Sequence, residues 1–379
     1  MSLSTRSATA AQGMVQDENP RFAGKPRQTV ASSTSRRAGG ALSDITNVTA
    51  QANSMQVSGK PAQRQARSTA SIATIPKPAP IMHSFQEEMM VDEPTDSIFM
   101  DTQEAMQIEQ SWTDIDELDH QDPQAVTAYV GEIYDNCRQK EILYSVTHNY
   151  MPGQSEISEK MRYILIDWLV EVHLKFKLLP ETMSLAVNLV DRFLAKHSVS
   201  RDNLQLVGIT SMFLAAKYEE IYPPECNDFV YISASAYTRE QILAMEGTIL
   251  NAVEFNLTVP TSLHFLRRFS KAAGSDYPTH TLCKYLLELA LVDMRMNKHL
   301  PSITAAAAVY LARHSIGQPE WHSTLVHYTK YTEAEVLEVA QDLLQVLRDA
   351  QSSNHQAVVR KYSSRKFGEV ARRPIPQSL

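Results

Sequence analysis

Cysteine is scarce in this chain of 379 residues: Cys137, Cys226 and Cys283 are the three, and none stands in a C-x-x-C spacing. Thiols placed in this way make neither a disulfide framework nor a structural zinc cluster, and they point to a reducing compartment. Long apolar runs are missing as well. The longest, at 289–292 and 305–312, fall far short of the roughly 18 residues that cross a bilayer. The N-terminus has no apolar stretch of the signal-peptide kind, so the sequence argues against secretion and against a membrane partner. Catalytic signatures are lacking too: there is no Gly-rich phosphate loop, no H-E-x-x-H and no G-x-S-x-G. His322 and His327 lie five apart, the wrong spacing for one helix face, with no third ligand at hand. No Ser or Thr is followed by Pro, so the minimal site of a proline-directed kinase is absent. The chain therefore reads as a non-enzyme without a cofactor.

What is present is divided unevenly. Residues 1–80 carry ten basic and three acidic side chains, and residues 81–120 carry twelve acids with no Lys or Arg. Residues 121–379 hold 26 basic and 28 acidic groups, so the part expected to fold is slightly acidic. Its basic residues are scattered, apart from a run at 360–366 and Arg372-Arg373. That is a poor footprint for nucleic acid, and the C-terminal run reads as a solvated end. The first 80 residues have a single aromatic, Phe22, among Ser, Thr, Ala, Gln, Arg and Pro. Such a segment buries too little apolar surface to offset the entropy of ordering, and disorder is expected there. The acidic stretch 81–120 is expected to be a mostly disordered linker.

From Asp122-Pro123 onward the periodicity is helical, and an all-α fold follows. Val126, Tyr129, Val130 and Ile133 are spaced i, i+3, i+4, i+7 and predict an amphipathic first helix, with Pro123 in its first turn. Further helices are predicted over 155–176, 181–197, 200–220, 239–255, 262–273, 279–295, 301–315 and 332–351. Ser155 and Ser158 are the candidate caps of the second. Pro223-Pro224 and Val259-Pro260-Thr261 are breaks. A weak repeat links two halves: 212–217 aligns with 308–313 at an offset of 96, and 184–196 with 281–293 at an offset of 97. In both halves the third helix is rich in small residues, which predicts a central position in each domain.

Residues 161–172 are apolar nearly all round. Tyr163, Ile166, Leu169 and Val170 make one stripe, and Met161, Leu165, Trp168 and Val172 another. Periodicity alone allows a fully buried helix or an apolar surface groove edged by Glu171. Arg162 and Asp167 interrupt this run. A buried Arg needs a carboxylate, and Asp191 in the next helix is the candidate, a structural pair rather than a catalytic one. Lys217 and Glu246 sit in helices packed with small and apolar residues, and spacing alone gives them no special role.

The stretch Met161-Arg-Tyr-Ile-Leu-Ile-Asp-Trp-Leu-Val-Glu-Val-His173 resembles the M-R-A-I-L-x-D-W-L-V-E-V-H signature of the cyclins, with Tyr163 in place of the usual Ala. Ala215-Ala-Lys-Tyr-Glu-Glu-Ile-Tyr-Pro-Pro-Glu225 is similar to their A-S-K-Y-E-E-x-Y-P-P-E stretch. His264-Phe-Leu-Arg-Arg-Phe-Ser-Lys271 and Lys361-Tyr-Ser-Ser-Arg-Lys-Phe367 favour the mitotic B-type. The resemblance spans about 123–370. It implies two tandem five-helix cyclin boxes, at 158–258 and 259–351, preceded by an N-terminal helix within 121–157 and followed by an extension over 352–379. It implies a non-catalytic subunit that binds a cyclin-dependent kinase and switches it on for mitotic entry, in nucleus and cytoplasm.

By the same resemblance, Lys217, Glu246, Phe255, Tyr129, Glu219 and Glu220 are assigned to the kinase contact. Met161, Ile164, Leu165, Trp168, Glu171, Gln205 and Arg201 are assigned to a groove for R-x-L motifs of substrates and inhibitors. An acidic groove position common in A-type cyclins is Ala234 here. Ala41-Leu42-Ser43-Asp44-Ile45-Thr46-Asn47 is similar to the distal part of a destruction box, which would hand the chain to the ubiquitin ligase machinery. The Arg of that motif belongs at position 39, which is Gly39; Arg37 stands two residues early, and Gly39-Gly40 would let the chain bulge to bring it into place. Leu42, Ile45 and Asn47 keep the register. Three rival readings remain: an A-type cyclin acting in S phase, a cyclin-fold transcription factor, and a helical scaffold without a kinase.

Overall fold

The computed structural model describes residues 112–146 and 149–379. The destruction-box residues Arg37, Leu42, Ile45 and Asn47, the basic tail and most of the acidic linker lie outside the described residues. Among the described residues there are helices and turns but no strand.

Among the described residues the first α-helix, α1 (Val130–Tyr144), precedes two five-helix groups. The first group comprises α2 (Glu159–Phe176), α3 (Pro180–Lys196), α4 (Arg201–Glu219), α5 (Cys226–Ile232) and α6 (Arg239–Ala252). The second comprises α7 (Ser262–Ala272), α8 (Tyr277–Val292), α9 (Pro301–Ser315), α10 (Ser323–Thr329) and α11 (Glu333–Ser352), after which the short α12 (Ala357–Tyr362) follows. Local chemistry sets the boundaries. The Ser158 side chain accepts from the Met161 N–H and starts α2. Thr238 with Gln241, and Thr332 with Glu335, form reciprocal capping boxes at α6 and α11. Pro180, Pro278 and Pro301 occupy first-turn positions, where a missing N–H costs nothing.

The repeat is real in three dimensions. The small-residue helices α4 and α9 are each the central helix of their group, packed against α2, α3 and α6 and against α7, α8 and α11. Their small side chains are fully buried, Ala215 and Ala216 in one and Ala305 through Ala308 in the other. At Gly208 an added Cβ would stand 2.7 Å from Leu165 Cδ1, so the Leu165 side chain of α2 packs directly over the glycine of α4 and would have to shift for any larger residue.

Three expectations are corrected. The apolar row of Val126, Tyr129, Val130 and Ile133 does not face the core. Val126 lies before α1 with φ +52°, and it, Tyr129 and Ile133 are exposed. The anchored face is polar instead. Glu141 accepts from the Ser302 N–H at 2.8 Å and its hydroxyl at 2.6 Å. Arg138 lies over the rings of Phe265, Phe269 and Tyr331. Tyr134 donates to the His264 carbonyl at 3.0 Å.

Second, packing begins within the acidic stretch, not at Pro123. Trp112 stacks on His327 with ring centroids 3.6 Å apart. Asp116 is buried and binds Arg268 at 2.6 Å and Lys271 at 2.8 Å. Burial alone would raise its pKa; those two cations outweigh burial and hold it below the ordinary value.

Third, the C-terminal run is not wholly solvated. Lys361 is buried in an ion pair with Glu288, whose carboxylate also accepts from the Tyr362 hydroxyl at 2.8 Å. Through α12 the chain returns from the second group to pack on α2 and α8.

The two groups are pinned by Arg162. It is fully buried and donates to both Asp191 oxygens at 2.7 Å, and to the carbonyls of Val292 at 2.9 Å and Leu291 at 3.2 Å at the end of α8. Tyr150 donates to Asp191 Oδ1 at 2.6 Å and Asn297 to Oδ2 at 3.2 Å. Burial works against the Arg162 charge, but the Asp191 carboxylate outweighs it and holds the guanidinium charged beyond its ordinary range.

Candidate functional site

The first candidate surface lies at the C-terminal end of α4. Lys217 and Glu246 meet there in an ion pair, which sequence spacing did not foretell. The Lys217 ammonium also lies 4.4 Å from the centroid of the Phe213 ring, one turn back. Tyr218 beside it is exposed and shares a hydrogen bond with Thr258 Oγ1. That bond ties the end of α4 to the chain leaving α6.

This chain is bent sharply. Glu254 and Phe255 both adopt left-handed backbone, with φ of +56° and +58°. Two consecutive non-glycine residues in that region cost roughly 1–3 kcal/mol each, and such strain persists where the surroundings hold it. Here α3 does the holding. Arg192 donates to the carbonyls of Asn256 at 2.8 Å and Val253 at 3.2 Å, and Lys196 to that of Ala252 at 2.9 Å. The bend leaves the Phe255 ring 65% exposed, an unusual place for a large apolar group. Arg192 and Lys196 were missed in the sequence; their only signal is a pair of cations one turn apart, which is common on helices.

The other residues assigned to this contact divide. Glu220 is engaged internally, accepting from the Leu179 N–H at 2.7 Å and the Thr182 hydroxyl at 2.5 Å. Glu219 is half-buried. Burial first, and the nearby Glu181 and Glu220 carboxylates second, push its pKa up. Tyr129 stands at the start of α1, 61% exposed.

The second candidate surface runs along α2. Met161, Ile164, Trp168 and Glu171 are half-buried on it, and Gln205 on α4 is half-buried as well. Leu165 is not on the surface; it is buried against Gly208. The apolar run is thus neither buried all round nor amphipathic in a single stripe: Leu165, Ile166, Leu169, Val170 and Val172 are in the core, while Met161, Ile164 and Trp168 are partly exposed. Arg201 is exposed, and its Nε donates to the Glu156 carbonyl at 2.8 Å. Ala234 has left-handed backbone, φ +54°, and is exposed. Asp167 is buried, and its Oδ1 accepts from the Ala357 N–H at 2.8 Å. Glu171 is ion-paired with Arg360 of α12. Neither partner was foreseen, because Ala357 and Arg360 lie some 190 residues further along the chain.

Among the described residues no group of three or more His, Cys, Asp or Glu is arranged to hold a metal ion, and no helix is long and apolar enough to cross a membrane. His327 is the stacking partner of Trp112.

Comparison with known proteins matches these elements to two families. Residues 132–258 match the cyclin N-terminal domain and residues 260–376 the cyclin C-terminal domain. A "G2/mitotic-specific cyclin-B" of Dictyostelium discoideum is 46% identical over 294 residues, covering 76% of this chain and 67% of that protein. The protein of the same description from Arbacia punctulata is 42% identical over 354 residues, covering 87% of this chain and 85% of that one. "Cyclin-B2-1" of Oryza sativa subsp. japonica is 44% identical over 305 residues, with 80% and 73% covered. The X-ray structure of a viral cyclin from herpesvirus saimiri shares the fold, with a TM-score of 0.51 at 18% identity over 56% of this chain and 96% of that chain. Two matched cyclin domains, in tandem and in the order of the two helical groups, together with relatives that are B-type along most of their length, establish that this chain belongs to the cyclin family, on its mitotic B-type branch.

Proposed function

We propose that the chain is the non-catalytic regulatory subunit of a mitotic cyclin-dependent kinase, and that the surface around Lys217, Glu246 and Phe255 is where it meets the kinase. The observation that carries this reading is the Phe255 bend. A strained backbone, held by Arg192 and Lys196, keeps a large ring in water beside a charged pair. An exposed aromatic anchor fits an apolar pocket on a partner, and the pair offers an ammonium and a carboxylate to that partner's carbonyl and N–H groups. Activation follows if this surface binds the active arrangement of the kinase better than the inactive one. The names of the B-type relatives support mitotic entry as the occasion.

Two further parts belong to the same reading. The row of Met161, Ile164, Trp168 and Gln205, with Glu171 and Arg201 at its edges, docks R-x-L motifs. The segment with Arg37, Leu42, Ile45 and Asn47 directs removal through ubiquitin. The test of the kinase surface is a calorimetric titration of the full chain into a monomeric mitotic cyclin-dependent kinase. Phe255→Ala is expected to weaken Kd by about thirtyfold, near 2 kcal/mol. A Gln345→Ala control on α11 leaves it unchanged. Equal affinity of Phe255→Ala and the unaltered chain contradicts the assignment.

A further inference from the structure

The carboxylate at the edge of the α2 groove is already occupied. Glu171 is paired with Arg360, and Arg360 is delivered by a fixed element. Asp167 and Glu171 lie one turn apart on α2, and Ala357 and Arg360 one turn apart on α12. The first members of these pairs are joined in the interior, where Asp167 Oδ1 accepts the Ala357 N–H at 2.8 Å. Ala357, Val358 and Tyr362 are buried, and Lys361 and Tyr362 are bonded to Glu288. Arg360 is therefore held over Glu171 by a helix locked at both ends. The groove has no acidic side chain at position 234, where Ala stands, so Glu171 is the carboxylate assigned to it.

We infer that Arg360 is a specificity-determining residue of this groove, an internal competitor for the arginine of an incoming R-x-L peptide. The inference rests on the groove reading proposed above. Arg360 holds Glu171 through its Oε1, and a two-bond fork from a second guanidinium needs both oxygens. A peptide arginine that reaches Glu171 must displace Arg360 or share the oxygens with it against like-charge repulsion. In either case the peptide gains less from its arginine than it would from an unpaired Glu171, and the groove discriminates less between ligands with and without that arginine. Both partners are substantially exposed, so the pair is of the weak, salt-screened kind. Its loss is expected to change affinity by about two- to fivefold.

The test uses the full chain and two fluorescein-labelled peptides, one with an R-x-L motif and one with Ala replacing its Arg, followed by anisotropy at low salt. Arg360→Ala is expected to bind the Arg peptide about two- to fivefold more tightly and the Ala peptide as before. Adding Glu171→Gln to Arg360→Ala removes the gain. Raising the salt reduces it. Arg360→Ala that leaves the Arg peptide unchanged overturns the inference while the groove stands. A gain of equal size for both peptides also overturns it, because loosening of α12 would act on both. Failure of both peptides to bind, or binding that survives Trp168→Ala, overturns the groove reading and this inference with it.

Discussion

Replacing Arg162 with Met removes four hydrogen bonds at once, two to Asp191 and one each to Leu291 and Val292. Asp191 would remain in the interior with Tyr150 and Asn297 as its donors, an ionised carboxylate without a countercharge. Breaking one side of a buried pair costs about 3–5 kcal/mol. For a fold of this size that corresponds to a fall in Tm of about 10 °C. The cost is asymmetric, and this makes the reasoning testable. Arg162→Met/Asp191→Leu removes both charges and leaves neutral orphans, the Tyr150 hydroxyl, the Asn297 amide and the two α8 carbonyls. That variant should lose about 2 kcal/mol, less than either single change. Urea unfolding of the full chain and its three variants, followed by circular dichroism, gives the four free energies of the cycle. A loss below about 1 kcal/mol for Arg162→Met, or a double variant as unstable as the two single losses summed, refutes the account of this pin.

Two further predictions follow from the interior of α2. His173 is buried, with Nε2 donating to the Leu179 carbonyl at 3.1 Å and Nδ1 without a partner. Burial, aided by the Lys361 cation and opposed by Glu288, lowers its pKa from 6.5 to about 4. The unfolded chain therefore binds more protons than the folded chain between those values. The stability tied to neutral His173 is complete above pH 6.5 and drains away toward pH 4, by about 3 kcal/mol in total. His173→Gln should flatten that part of the pH–stability curve; an unchanged acid slope would show that His173 does not set it. Gly208→Ala drives a methyl against Leu165 and should cost about 1–3 kcal/mol. A variant as stable as the parent would mean that the Leu165 side chain moves aside without cost.

Much of this architecture was legible because its signals are local. Ser158, Thr238 and Pro301 mark helix starts by their own chemistry, and the small residues of α4 and α9 announce close neighbours on all sides. Arg162 required an acid, and Asp191 was the one within reach. What escaped has long range or short length. The face of α1 was misread because its anchors are Glu141 and Arg138, polar groups whose partners come from α7, α9 and the segment around Tyr331. The helices α5, α10 and α12 have six or seven residues, too few to establish a period. Asp167 reads as an interruption of an apolar run, and Glu171 as the edge of a groove, until α12 arrives to meet them. Lys217 and Glu246 carried weight only through the family resemblance; the fold adds that they touch. The strain at Glu254 and Phe255 left no mark in the sequence at all, since neither residue favours left-handed backbone.

On the proposed reading, this chain switches a kinase on through the surface at the end of α4. The direct measurement is phosphotransfer to a basic Ser-Pro peptide by a monomeric, activation-loop-phosphorylated mitotic cyclin-dependent kinase, with and without the full chain. Strong activation is expected from the unaltered chain and is expected to be lost in Lys217→Ala/Glu246→Ala, with the variant's thermal unfolding close to that of the parent. Full activation by that variant would move the site elsewhere, and no activation by the unaltered chain would contradict the kinase-subunit reading itself.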